Sequence, residues 1–114
     1  MKGILITPTG EIEIWEFSEP LYKSAGEAVG GDIEIVRPRR LGHPYVMIVN
    51  EIYCYLDLPV NPIGSWLYCS ELHGHSVDGN IIILKEEGED LVSIDPEELQ
   101  WLKNFFRFVY KSVK

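Results

Sequence analysis

A run of consecutive apolar residues late in the chain constrains the fold more than any other feature. Asn80 leads into Ile81-Ile82-Ile83-Leu84, and no polar residue occupies an alternate position. Successive residues of a strand point to opposite faces of a sheet, so a strand with one wet face would alternate apolar and polar residues. The run therefore predicts a central strand that is covered on both faces.

Shorter apolar segments predict further strands. Gly3 to Thr7 and Glu11 to Phe17 lie on either side of a turn that contains Pro and Gly, which predicts a β-hairpin. The alternation of the second segment changes phase at Trp15, which indicates a bulge or a strand end that is buried on both faces. Asp32 to Val36 alternates and predicts another strand.

A second hairpin is predicted between positions 45 and 56. Tyr45 to Val49 and Ile52 to Leu56 are rich in β-branched and aromatic residues, and only Asn50-Glu51 separates them. Such a two-residue connection is typical of hairpins, and Asn tolerates the positive φ that the turn needs.

Two short helices are predicted from their end signals. Leu21 to about Val29 is weakly amphipathic, and Gly30-Gly31 is placed to end it. Asn61 is suited to cap a two-turn helix from Pro62 to about Tyr68, because Pro is well tolerated at the first helical position.

The clearest helix follows Asp95 at the end of the chain. Pro96 suits the first helical position, and Glu98 stands where a capping box requires its acid. The apolar stripe and the aromatic residues that widen it are Leu99, Leu102, Phe106, Val109 and Val113, with Trp101, Phe105 and Phe108. This arc is wider than one sheet contact requires, so its exposed margin indicates a homodimer formed through the C-terminal helix as one possible assembly.

Together these elements predict an α+β fold. We expect a mixed, mainly antiparallel sheet of five or six strands, a long C-terminal helix packed on one face and two short helices at the edges. The length of 114 residues fits one domain, which we expect to span residues 1–114.

Composition limits the classes of partner. The formal net charge is −8, with 18 acidic and 10 basic residues, which opposes sequence-independent DNA binding. No apolar segment is long enough for a transmembrane helix, and the N-terminus lacks the features of a signal peptide, so we expect a cytoplasmic protein with no membrane partner.

The segment from Asn61 to Asn80 collects the most suggestive side chains. As candidates for ligand or partner binding we select Asn61, Trp66, Tyr68, His73, His75 and Asp78. An alternative is a metal-dependent or hydrolytic enzyme that uses Cys69, His73, His75 and Asp78. The paired spacings of structural zinc sites and the Gly-x-Ser-x-Gly motif of hydrolases are absent, so we predict no metal, no cofactor and no catalytic residue.

One loop concentrates positive charge in this acidic chain. Arg37, Arg39 and Arg40 follow a predicted strand and lie close to His43. Guanidinium groups suit phosphates and carboxylates, so the loop is a candidate site for a small anionic ligand or an acidic partner surface. The alternative is a solvated loop whose charges offset nearby acids.

Several motifs resemble a family of small proteins known only as a domain of unknown function. The resemblance rests on Val29 to Val36, on Leu58 to Pro62 with Ser65 to Tyr68, on His73-Gly74-His75 and on Asp78 to Leu84. It covers the chain from Met1 to about Lys85 and includes a recognisable final helix. The family implies a setting in Firmicutes and their phages, plasmids and conjugative elements, and it implies no catalytic role.

The sequence thus favours a non-enzymatic accessory binding protein of phage or mobile-element type. We expect its partner to be a host protein or a small anionic, nucleotide-like ligand. The alternatives are the enzyme described above and a structural or oligomer-forming protein with no small-molecule site.

Overall fold

A computed structural model describes residues 1–114 and has an open six-stranded sheet. The strand order is β2-β1-β5-β4-β3, β6 also pairs with β5, and every pairing is antiparallel. The strands are β1 (Lys2–Ile6), β2 (Ile12–Glu16), β3 (Ile33–Val36), β4 (Tyr45–Asn50), β5 (Ile81–Glu87) and β6 (Asp90–Val92). The predicted α+β class is confirmed.

Strand β5 lies at the centre of the sheet, as its apolar run predicts. It pairs with β1 on one side and with β4 on the other. Ile81 and Ile83 belong to one apolar core, whereas Ile82 and Leu84 belong to another on the opposite face. All four side chains are fully buried.

The larger core lies between the sheet and the C-terminal helix. It contains 16 buried residues, including Leu99, Leu102, Phe106 and Val109 of that helix. The helices are α1 (Leu21–Val29), α2 (Pro62–Tyr68), α3 (Ser70–His73) and α4 (Pro96–Val113). Helix α2 contributes Ile63 and Leu67 to the same core. None of the four helices is long and apolar enough to cross a membrane.

Helix α1 covers the other face of the sheet, rather than lying at an edge as expected. Its Ala25 and Val29 pack with Val46 and Ile48 of β4 in a second core of 8 buried residues. Gly30 adopts φ 87° after the helix, and the backbone N–H groups of Gly30 and Gly31 both donate to the Gly26 carbonyl. The Gly-Gly end signal is therefore confirmed.

The predicted second hairpin is wrong. Strand β4 already lies between β3 and β5, so residues 52–56 have no free strand edge beside it. The Asn50 side chain turns the backbone instead, because its Oδ1 accepts from the Ile52 N–H and its Nδ2 donates to the Val29 carbonyl. A short 3-10 helix, Tyr53–Tyr55, follows, and the sixth strand is β6.

The two explanations predicted for the phase change at Trp15, a bulge or a strand end buried on both faces, are both wrong. The β1–β2 register runs without interruption from Lys2 opposite Glu16 to Ile6 opposite Ile12. Trp15 is exposed because β2 is an edge strand that α1 does not fully cover, and Phe17 is buried just beyond the strand end.

The two predicted helix starts differ in outcome. Asn61 caps α2 as expected, since its side chain accepts from the Gly64 N–H at 2.9 Å. Asp95 precedes α4 but makes no side-chain capping bond, so the predicted capping box is wrong. The Glu98 carboxylate instead accepts from Lys85 Nζ at 2.7 Å and from the Tyr45 hydroxyl, because both donors lie on the adjoining strands.

Candidate functional site

The loop between β3 and β4 encloses a cleft that carries positive charge. Its volume is about 330 Å³. Arg37, Arg39 and His43 come from the loop, while Tyr45 of β4 and Glu86 of β5 form the sheet side. The antiparallel pairing of Tyr45 with Lys85 brings the two strand ends together at this position.

The three cationic or imidazole side chains of the cleft differ in their partners. Arg37 forms an ion pair with Glu86 through Nη1. The Arg39 and His43 side chains are exposed and make no hydrogen bond or ion pair with the rest of the chain. One arginine is thus held in position, and two further groups are free to meet a ligand.

Tyr45, on the sheet side of the cleft, keeps its phenolic proton. Burial, together with the hydrogen bond to Glu98, raises the pKa of Tyr45 to about 12. Its hydroxyl donates to Glu98, which also binds Lys85. Tyr45 therefore contributes a neutral wall rather than a negative charge at physiological pH.

Arg40 does not join the other two arginines. It lies against α2 and α3, where Nη1 donates to the Trp66 carbonyl of α2 at 2.7 Å and Nη2 pairs with Glu71 of α3. Its guanidinium carbon is 5.1 Å from the centre of the Trp66 ring. The contact with Arg40 lowers the pKa of the Glu71 carboxyl, consistent with a settled ion pair. Arg40 therefore anchors the loop to α2.

Asn61 has a structural position. Its side chain is fully buried, and Nδ2 donates to the carbonyls of Ile6 at 3.1 Å and Gly79 at 2.8 Å. The Gly64 N–H donates to Oδ1, so both N–H groups and the oxygen of the side-chain amide have a partner. Asn61 joins three segments of backbone and does not present its amide to a ligand.

The two histidines of the segment lie at the surface beside aromatic rings. His73 stacks on Tyr68 with ring centres 4.2 Å apart, and His75 Nδ1 lies 3.4 Å from the Tyr53 hydroxyl. Burial raises the pKa of the Tyr53 phenol. The histidines thus point outward, and they form the exposed part of a small aromatic cluster with Tyr53 and Tyr68.

The residues of the enzyme alternative do not converge. No group of three or more His, Cys, Asp or Glu side chains is placed to hold a metal ion. Cys69 is buried at the kink between α2 and α3, where its φ is 60°. Asp78 accepts from the Ser76 hydroxyl at 2.5 Å, and the Ser65 hydroxyl bonds the backbone of Val77.

Sequence reasoning did not select Tyr45 or Glu86 of the cleft, and it noted His43 only as a neighbour of the arginines. Tyr45 begins an apolar segment that indicates only a core role, whereas Glu86 lies beyond the predicted apolar run of Ile81–Leu84. Both reach the cleft through the pairing of β4 with β5. The available signal was that each stands at the loop end of its strand, where side chains leave the core. To use that signal one must know that β4 pairs with β5, and the local sequence does not show this pairing.

The comparisons with known proteins agree with the resemblance seen in the motifs. No curated protein and no solved structure matches the chain. Residues 1–107 match the family described as Domain of unknown function (DUF3846), and a match over nearly the whole chain shows that the protein belongs to this family.

Proposed function

We propose that this protein is a non-enzymatic binding protein that holds a small anionic ligand in the Arg37–Arg39–His43 cleft. The observation that carries the proposal is the presence of two partner-free side chains, Arg39 and His43, beside the ion-paired Arg37. In a chain with a net charge of −8, such a concentration of donors at one cleft is unusual. It is the arrangement that recognises a phosphate or a carboxylate.

The size and surroundings of the cleft favour a small ligand over a polymer. A volume of about 330 Å³ is at the lower end of the range for small-molecule sites, about 300–1,000 Å³. The acidic surface of the molecule repels a long polyanion, whereas a single phosphate experiences mainly the charges within about 8 Å at physiological salt. A mononucleotide or a similar phosphorylated compound fits both conditions.

The family resemblance implies a setting in phages and other mobile elements of Firmicutes. In that setting, a cytoplasmic protein that sequesters a small nucleotide-like signal has a clear use without catalysis. The residues of the enzyme alternative give this reading indirect support, since Cys69 is buried whereas His73 and His75 are exposed.

Isothermal titration calorimetry tests the proposal with inorganic phosphate, pyrophosphate, AMP, 3′,5′-cyclic AMP and citrate as probes. We expect at least one to bind with a 1:1 stoichiometry. Arg39→Ala should raise its Kd about tenfold or more, because a charge-assisted hydrogen bond contributes about 1.5–3 kcal/mol. The matched control is Arg107→Ala, which removes an exposed arginine of α4 that does not line the cleft and should leave the Kd unchanged.

Three results would overturn this function. The absence of heat with every probe at millimolar concentration would remove the anion site, as would an equal loss of affinity in both arginine variants. Recovery of the bound probe after overnight incubation, followed by mass spectrometry, tests the non-enzymatic part. A chemically altered probe would show turnover and contradict it.

A further inference from the structure

Helix α4 presents an aromatic stripe to solvent on the flank away from its buried face. Trp101 is 60% exposed and Phe108 is 69% exposed, and Phe105 lies between them half-buried. Residues spaced by three and four positions share one side of a helix, so these rings form a continuous surface. Large aromatic side chains exposed in this way mark interaction surfaces more often than single exposed aliphatic residues do.

Two of the three rings of the stripe, Trp101 and Phe105, are held by contacts within the chain. Trp101 stacks on Phe105 with ring centres 5.4 Å apart and planes 7° from parallel. Phe105 in turn packs against Trp66 of α2, with the two ring centres 6.1 Å apart. Side chains that are held in this way lose less conformational entropy when a partner covers them.

A polar line beside the stripe has a symmetric pattern. Glu97, Asn104 and Lys111 recur at intervals of seven residues, so they lie almost in line along the helix. All three are exposed, and neither Glu97 nor Lys111 has an ion-pair partner within the chain. An acid and a base therefore stand about 10 Å on either side of an amide.

We propose that a second copy of this chain covers the stripe, with the two α4 helices packed antiparallel about a two-fold axis near Asn104. The axis places Glu97 of each copy beside Lys111 of the other and brings the two Asn104 amides together. Trp101 of one copy then lies close to Phe108 of the other. Such a contact is isologous, since the same surface serves both subunits.

The charge pattern of Glu97 and Lys111 favours a second copy of this chain as the partner, and it favours antiparallel packing of the two helices. A parallel pair would place Glu97 against Glu97 and Lys111 against Lys111, which is unfavourable. An unrelated partner would not require an acid and a base at equal distances from a central amide. The dimer surface is separate from the proposed anion site, which lies on the loop between β3 and β4.

Sedimentation velocity from 1 to 300 µM at about 0.15 M salt tests the dimer. We expect a concentration-dependent monomer–dimer equilibrium. Trp101→Ala should raise the dimer Kd about a hundredfold, because the residue is buried twice in a symmetric interface. A chain that remains monomeric over the whole range would overturn the proposal, whatever other protein the stripe binds.

A charge exchange tests the antiparallel register. Glu97→Lys and Lys111→Glu alone should each weaken the dimer about tenfold, since each creates two like-charge contacts. The double variant should restore the original Kd. The matched control is Glu27→Lys, which reverses the charge of an exposed residue of α1 on the other face of the sheet. It should leave the dimer Kd unchanged. Failure of the double variant to recover would overturn the register, and urea unfolding of each variant separates this from misfolding.

Discussion

Two serines in neighbouring helices experience opposite environments although neither is fully exposed. The Ser65 hydroxyl accepts from the Val77 N–H at 2.9 Å and lies 3.2 Å from the Val77 carbonyl, so both of its roles are satisfied. The Ser70 hydroxyl is buried with no hydrogen-bond partner in the protein. A buried hydroxyl without a partner loses its hydration and gains nothing in return.

Replacement of each serine by alanine should therefore change stability in opposite directions. Ser70→Ala removes an unsatisfied group and should raise the free energy of unfolding by about 1 kcal/mol. Ser65→Ala leaves the Val77 N–H without its partner, while the Val77 carbonyl keeps the bond from the Asn61 N–H, and the change should lower the free energy of unfolding by about 1–2 kcal/mol. Urea unfolding monitored by tryptophan fluorescence measures both. A loss of stability in Ser70→Ala would show that its hydroxyl is satisfied in solution.

At the scale of elements, Glu98 connects the start of α4 to two strands. Its carboxylate binds Lys85 of β5 and Tyr45 of β4. The hydrogen bond from Lys85, followed by that from Tyr45, lowers the pKa of Glu98 below its usual value of 4.5. The folded state thus favours the ionised carboxylate more than the unfolded state does.

The contribution of Glu98 should consequently depend on pH. It is fully present above the unfolded pKa of about 4.5 and disappears as the pH falls through the lowered pKa of the folded protein. Glu98→Gln should therefore reduce the free energy of unfolding at pH 7, and its difference from the parent chain should shrink as the pH falls below 4.5. Urea titrations at pH 7, 5, 4 and 3 measure the difference. A constant difference across this series would exclude the ionised contact as its cause.

The same elements show which features a local pattern can predict. The apolar run of β5 and the buried apolar stripe of α4 are long enough to predict both the secondary structure and the burial of their residues. The residues after Asn50 have equally strong β propensity, yet β4 is already paired on both edges and leaves them no partner. Their conformation depends on strand neighbours that are distant in sequence, so propensity alone gave the wrong hairpin.

For the whole molecule, the candidate cleft depends on long-range packing in the same way. The positive charge of Arg37, Arg39 and Arg40 is visible in the sequence, but their division between the cleft and α2 is not. Arg40 is withdrawn by Trp66 and Glu71, whose positions follow from the fold of residues 61–73. Sequence reasoning could therefore locate the charged loop but could not determine which guanidinium groups remain free.

The two faces of the sheet differ in the amount of apolar packing that they carry. The face beneath α4 has 16 buried core residues, whereas the face beneath α1 has 8. Helix α1 also contains Gly26, which lowers its intrinsic helical stability. Native-state hydrogen exchange should therefore release the amides of α1 at a lower free energy of opening than those of β5 and α4. Equal free energies for all three elements would contradict this prediction.

Because of this asymmetry, we expect the α1 side of the molecule to unfold before the α4 side. When α1 detaches, the apolar side of β4 and β5 that carries Val46, Ile48 and Ile82 is exposed, while the opposite core remains closed. The first partly unfolded form would then be a sheet with one bare face and an intact α4. Proteolysis and aggregation in cells should accordingly begin at the α1 side, even under conditions in which most of the protein retains its fold.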